Sequence, residues 1–241
     1  MILPQNPWEE TMPSVLVTGA NRGIGLEFVK QYAAEGWRVF AVCRDPAKAT
    51  ELNDLAKASG VKVTVHEAEV TDQKAVARLA AALQGQPIDL LMNNAGIAVR
   101  DAMTFGDSNA ESWLKAFNVN CIAPTKVAEA FLPNLLAGDK KIVAMMSSRL
   151  GSHAYNSGGW LAYRATKAAL NSVVLTMAAE LQGKGVITVA LHPGHVATDM
   201  GGASAPVTPA QSVTGLRKVI ENLNPKKSGS FYDYTGAELA W

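Results

Sequence analysis

Short apolar runs rich in β-branched residues recur along the chain, separated by longer stretches in which apolar positions return every three or four residues. The runs SVLVT (14–18), WRVFAV (37–42), VKVTVH (61–66), IDLLMN (88–93), KIVAMM (141–146), VITVALH (186–192) and GSFYDY (229–234) predict strands. The intervals 23–35, 46–58, 72–84, 109–136, 160–182 and 209–223 predict helices. Several strands are apolar at consecutive positions, as expected when both faces are buried. Strand–helix alternation over the whole length predicts right-handed βαβ units, hence an α/β domain on a parallel, doubly wound sheet with helices on both faces. No repeat or linker divides the pattern, so residues 12–241 read as a single domain. Residues 1–11, ahead of Met12, read as an N-terminal extension.

Composition narrows the function classes. The 241 residues are 48% hydrophobic with a formal net charge of +1. That is ample material for a buried sheet and no electrostatic footprint for nucleic acid. No apolar run approaches the roughly 18 residues of a membrane span. The opening MILPQNPWEETMPS lacks the basic start and apolar centre of a secretory signal. Two cysteines, Cys43 and Cys121, suggest neither a disulfide scaffold nor a metal motif. His192 and His195 are separated by Pro193 and Gly194, which keep the rings from sharing a helix face, and no metal is expected. The expected location is the reducing cytoplasm.

VTGANRGIG lies between the first predicted strand and the first predicted helix. Gly19, Gly23 and Gly25 stand where a side chain would block a tight turn, a phosphate and helix–strand packing. The helix start behind them offers free N–H groups and partial positive charge to a pyrophosphate. A glycine triplet alone is weak evidence, but one that follows a strand and opens a helix predicts a Rossmann-type dinucleotide site. The end of the second strand then selects the dinucleotide. An acid there would bind ribose hydroxyls, whereas a cation would take a 2′-phosphate. The sequence reads AVCRDP, with Arg44 at that place and Arg22 reaching from the glycine loop, so the expected cofactor is NADP(H). Asp45, followed by Pro46 and AKATEL, reads instead as the N-cap of the second helix.

GGWLAYRATKAALNSVV puts Tyr163 and Lys167 four residues apart, on one face of a helix and one turn from each other. A phenol titrates near 10, too high for acid–base work at neutrality. Lowering it to about 7 takes roughly 4 kcal/mol of preference for the anion. A cation about 4 Å away at an effective dielectric near 20 supplies about that much.

Together these segments resemble the classical short-chain dehydrogenase/reductase family over nearly the whole chain. TGANRGIG is similar to its cofactor loop, NNAG (93–96) to the motif after its fourth strand, and FNVNCIAP to the helix carrying its asparagine. MMSSRLGS supplies the serine, YRATK the tyrosine and lysine, and HPGHVATDM the segment that embraces the nicotinamide. SSRLGS, GGWLAYRATKAALN, HPGHVATDMGG and GAELAW are similar to the C-factor-like carbonyl reductase subgroup. The resemblance implies seven parallel strands and a cofactor site of Gly19, Asn21, Arg22, Gly23, Ile24, Gly25, Arg44, Glu69, Val70, Asn94, Ala95, Gly96, Tyr163, Lys167, Pro193, Gly194, Val196 and Thr198. Glu69 departs from the family's usual aspartate. The HAYNSGG segment lengthens the interval between serine and tyrosine.

The resemblance also assigns catalytic roles to Asn120, Ser148, Tyr163 and Lys167. Of the two serines in SSRLG, Ser148 has the family's spacing to the following glycine. It would hold the substrate oxygen against Tyr163, and Asn120 would fix a water leading from Lys167 to solvent. Tyr163 would protonate a carbonyl oxygen as hydride arrives, or accept the proton in reverse. Leu150, His153, Tyr155, Trp160, His195 and Met200 are the expected substrate walls, favouring a hydrophobic or aromatic aldehyde or ketone. Three readings stay open: an NADPH-dependent carbonyl reductase, an alcohol dehydrogenase using the same residues, and a cofactor-binding signalling protein. Family members often pair through the helices at 109–136 and 160–182, so a homodimer or homotetramer is expected.

Overall fold

A computed structural model describes residues 12–60, 62–106 and 108–241. The expected extension, 1–11, lies outside the described residues. Among those, strands β1 (Ser14–Thr18), β2 (Arg38–Cys43), β3 (Val63–Glu67), β4 (Leu90–Asn93), β5 (Ile142–Met146), β6 (Ile187–His192) and β7 (Ser230–Asp233) form one sheet in the order β3-β2-β1-β4-β5-β6-β7. Every pairing is parallel, as buried apolar strands joined by helical crossovers require.

Strand alternation sorts the interior into two cores. Val15, Val17, Leu90 and Met92 pack against α1 (Gly23–Ala34), α2 (Thr50–Ala58) and α7 (Pro209–Glu221). Leu16, Leu91, Val143 and Ala190 face α3 (Gln73–Ala82), α5 (Ala123–Ala137) and α6 (Leu161–Leu181). The strand order turns round between β1 and β4. The loops leaving those strands therefore diverge to opposite faces and open a crevice at their carboxyl ends. At the other end a buried Asp89 carboxylate accepts from Ser14 N (2.8 Å), Asp139 N (2.9 Å) and Lys140 N (3.1 Å), pinning the strands whose far ends carry the crevice.

Two local expectations are corrected. The stretch 109–136 is not a continuous α-helix: α4 (Ala110–Phe117) runs into a π-helical turn at Asn118–Ile122 before α5 begins. Pro124 has no N–H to return to the carbonyl of Asn120, so the α ladder breaks there and the chain widens. Asp45 does not cap α2. It precedes a 3₁₀ turn at Pro46–Lys48 and pairs with Lys48 at 2.7 Å, while α2 starts after Ala49. Ala49 is drawn into the first core, which separates turn from helix.

Among the described residues no helix is long and apolar enough to cross a membrane. Cys43 and Cys121 are free and buried.

Candidate active site

The glycine loop owes its shape to steric closeness. A Cβ on Gly25 would run into the Gly19 carbonyl oxygen and stand 2.6 Å from Asn94 Nδ2, so α1 can meet β1 only through a glycine. Gly19 (φ +66°) and Gly23 (φ +54°) take left-handed backbone that other residues resist. Asn94 Nδ2 donates to the carbonyls of Thr18 (3.0 Å) and Gly19 (3.3 Å). Thr18 Oγ1 accepts from Asn94 N (3.0 Å) and Ala95 N (3.1 Å). Asn94 and Ala95 thus stitch the ends of β1 and β4 together and hold the loop open. No side chain caps α1, which leaves its first amides for an anion. Ile24 leans on the first core and Asn21 is exposed.

Arg44 and Arg22 both stand in solvent, each facing a carboxylate. Arg44 Nη1 lies 3.6 Å from Glu69 Oε2, whose other oxygen accepts from Thr71 N (3.2 Å) and Oγ1 (3.0 Å). Arg22 Nη1 lies 2.5 Å from Asp199 Oδ2, joining the glycine loop to the segment after β6. Behind that pair, a Cβ on Gly23 would stand 3.3 Å from the Thr198 methyl. Gly194 (φ +85°) fits against the Tyr234 ring, Pro193 accepts from Ser212 Oγ (2.7 Å), and buried Val196 bridges to Val207. Val70 is buried in the second core, so only its backbone can face a ligand.

Across the crevice, the proposed catalytic side chains converge. Asn120 is buried in the π-helical turn. Its Oδ1 accepts from Ile97 N (2.8 Å), and its Nδ2 donates to Ile97 O (2.9 Å) and Thr166 Oγ1 (3.1 Å). It therefore braces the loop after β4 against α6. Gly96 sits between it and Lys167, where a Cβ would meet Asn120 Oδ1 at 3.3 Å and Lys167 Nζ at 3.8 Å. Lys167 is buried and donates to Met146 O at 2.7 Å. Its Nζ is 5.7 Å from the Tyr163 ring centroid. Ser148 follows β5, its hydroxyl accepts from Leu150 N (3.2 Å), and it lies close enough to Tyr163 to favour the phenolate. Ser147 is committed elsewhere, donating to Asn171 Oδ1 at 2.5 Å, which separates the two serines by chemistry as well as by spacing.

In the chain alone, burial works against the expected acidification of the phenol. Burial pushes Tyr163 up to about 12, against the pull of nearby Ser148. Burial also pushes Lys167 down to about 8, against the influence of neighbouring Cys121. Lys167 Nζ is turned to a backbone carbonyl rather than to the phenol.

The residues expected to line the substrate space divide. Trp160 meets Tyr163 edge to face at 6.1 Å, and Met200 is exposed at the rim. Leu150 is half-buried, its carbonyl accepting from Arg164 Nη1 (3.2 Å). Tyr155 lies beneath Arg149 at 5.8 Å, and His153 is exposed. His195 is exposed and bonds Gly201 O through Nε2 at 2.8 Å. His192, by contrast, ends β6 with its Nδ1 buried and without a hydrogen-bond partner among the described residues, and burial pushes its imidazole down to about 4. Two residues missed from sequence organise the region. Buried Arg164 anchors the HAYNSGG segment through Gly159 O (2.9 Å), Tyr155 O (3.4 Å) and Ser157 Oγ (3.1 Å). Arg100 stands over Trp160. The unusual length of that segment, followed by an arginine beside the tyrosine, was the available signal for the first.

A crevice at the switch point of a parallel sheet, floored by a glycine cradle and walled by a serine, a tyrosine and a lysine, defines a dinucleotide-dependent oxidoreductase site. The chain belongs to the short-chain dehydrogenase family, whose profile matches residues 13–207. It is similar to the C-signal protein of Myxococcus xanthus, 44% identical over 156 residues that cover 64% of this chain and 93% of that one. It is 36% identical to the 1-hydroxy-2-glutathionyl-2-methyl-3-butene dehydrogenase of a Rhodococcus strain, covering 95% of this chain and 100% of that one. The NADPH-bound carbonyl reductase from chicken fatty liver superposes with a TM-score of 0.88 at 39% identity, over 95% of this chain and 99% of that one.

Proposed function

We propose that this chain is an NADP(H)-dependent carbonyl reductase that converts an aldehyde or ketone to an alcohol, with Tyr163 as the proton donor. The observation that carries the reading is the convergence of Ser148, Tyr163 and Lys167 at the mouth of a crevice whose glycine cradle a Cβ would fill. NADPH, when held there, would supply the hydride. Gly19, Gly23 and the uncapped start of α1 would cradle its pyrophosphate, and Arg22 and Arg44 would take the 2′-phosphate. Glu69 and the backbone of Val70 would face the adenine. Pro193, Gly194, Val196 and Thr198 would close over the nicotinamide end. The chicken enzyme's NADPH supports the choice of dinucleotide.

Ser148 would hold the substrate oxygen, and the Tyr163 hydroxyl would give it a proton. Burial keeps that hydroxyl protonated in the chain alone, so the proton is in place for donation, and the positive ammonium of Lys167 would favour its release. Lys167 would steady the phenolate left behind, and Asn120 would hold the turn that fixes both helices. Residues 12–241 would act as one domain in the cytoplasm. Exposed Leu114, Ile122, Leu136 and Leu175 on α4, the π turn, α5 and α6 support pairing into a homodimer or homotetramer.

The test is an NADPH-oxidation screen over aldehydes, ketones and diones, repeated with NADH. Turnover with a clear preference for NADPH is expected, and preference for NADH would overturn the cofactor assignment. The C-signal relative favours a second reading, a cofactor-binding signal protein. Saturable NADPH binding with no carbonyl reduced would support that instead.

A further inference from the structure

The geometry points to a carboxylate-bearing substrate, its acid group held by Arg100 while its carbonyl lies against Tyr163; this rests on the carbonyl-reductase reading and deepens it. Arg100 leaves the loop after β4, its guanidinium stacked on the Trp160 ring at 5.1 Å and its Nη2 donating to Met200 O at a long 3.4 Å. Trp160 in turn abuts Tyr163, centroid to centroid 6.1 Å. The cation and the phenol therefore lie against the same indole, and Arg100 itself is exposed.

Three features mark this arrangement as built. First, no carboxylate pairs with Arg100 among the described residues. The adjacent Asp101 is turned away and accepts from Ser112 Oγ at 2.5 Å, and Asp199 is engaged by Arg22. Second, Trp160 has φ +55°, an uncommon and costly backbone for a bulky side chain, directly after the left-handed pair Gly158 and Gly159. That strain aims the indole at Tyr163 and under Arg100. Third, the two loops are bound together: Leu161 N donates to Met103 O (3.0 Å) and Ala162 N to Ala102 O (3.1 Å), so the first amides of α6 are satisfied by the loop that carries Arg100.

A planar guanidinium with free N–H edges takes a carboxylate bidentately, and stacking on an indole leaves those edges exposed. A weak bond to Met200 O is easily exchanged for one to an anion. The indole edge supplies an apolar spacer surface for an aryl ring or a short chain between acid and carbonyl. This adds to the mostly apolar pocket expected from the sequence: the wall is apolar, but its far end is cationic.

The experiment compares kcat/KM for 4-carboxybenzaldehyde and its neutral isostere methyl 4-formylbenzoate, with NADPH, in wild type, Arg100→Gln and Arg100→Lys. Wild type should favour the acid by about tenfold, the low end for a charge-assisted, bidentate arginine–carboxylate pair. The ratio should fall to about one in Arg100→Gln, mainly through KM, and be partly restored in Arg100→Lys. A wild-type ratio near one, or a ratio that Arg100→Gln leaves unchanged, would overturn the inference while leaving carbonyl reduction standing. If neither aldehyde is reduced, the wider screen of aldehydes, ketones and diones judges the reading of function. Calorimetric titration of 4-(hydroxymethyl)benzoate into the NADP-loaded protein then decides the anion site: binding about tenfold weaker in Arg100→Gln supports it, and equal or absent binding overturns it.

Discussion

Replacing Lys167 by methionine should make the protein more stable at neutral pH while removing its activity. Lys167 is buried, and its ammonium is carried into the interior at a cost: the group titrates near 10.5 when free and near 8 in the fold. Between those values the unfolded chain holds more protons than the folded one, so wild-type stability rises with pH through that window. At 1.36 kcal/mol for each pH unit, the cost present at pH 7 is roughly 3 kcal/mol. Methionine has similar length and no charge to desolvate, so it avoids that cost. Against this, Met146 O loses its 2.7 Å donor, which costs about 1–3 kcal/mol and does not depend on pH. The net gain at pH 7 is thus small, but its pH dependence is diagnostic. The stability difference between Lys167→Met and wild type should shrink by about 2 kcal/mol between pH 7 and pH 9.5. Urea unfolding followed by tryptophan fluorescence at those two pH values measures it. A difference that stays constant would refute the buried-ammonium argument, and one that grows in favour of the variant would reverse its sign.

Asp199→Asn should free Arg22 and tighten NADPH binding by about two- to fivefold in low salt, with the gain fading as salt rises; weaker binding by fluorescence titration would mean that Asp199 serves the cofactor directly. Gly25→Ala should abolish NADPH binding and lower the melting temperature, because the new methyl meets the Gly19 carbonyl; a variant with wild-type melting and binding would contradict the close approach. Arg164→Leu should expose the Tyr155–Gly159 segment to limited proteolysis and lower kcat/KM, since three carbonyls and a hydroxyl lose their donor; unchanged cleavage kinetics would show that the segment holds itself.

The elements were readable because their causes are local. Val15, Leu16 and Val17 must be buried on both faces, and the glycines of TGANRGIG have no other economical explanation between a strand and a helix. The π turn at Asn118–Ile122 was legible in principle, since Pro124 follows Asn120 by one helical turn, but an apolar period running through it hides the break. The state of the tyrosine–lysine pair was not legible. Spacing fixes their shared face, whereas their proton affinities depend first on burial, which only the fold sets. Arg100 was equally hidden, because its neighbours Trp160 and Met200 lie 60 and 100 residues further along the chain. Arg164 was hidden for the same reason, since its four acceptors lie 5 to 14 residues before it in a segment of irregular backbone.

The account turns on Tyr163 as the proton donor, and Tyr163→Phe tests it most directly. That change removes one oxygen and leaves the glycine cradle and Lys167 in place. With a carbonyl substrate that wild type reduces, the variant should lose at least about 99% of kcat, as expected for a positioned general acid, while binding NADPH with little change. Retention of more than a tenth of the wild-type rate at unaltered NADPH affinity would contradict it.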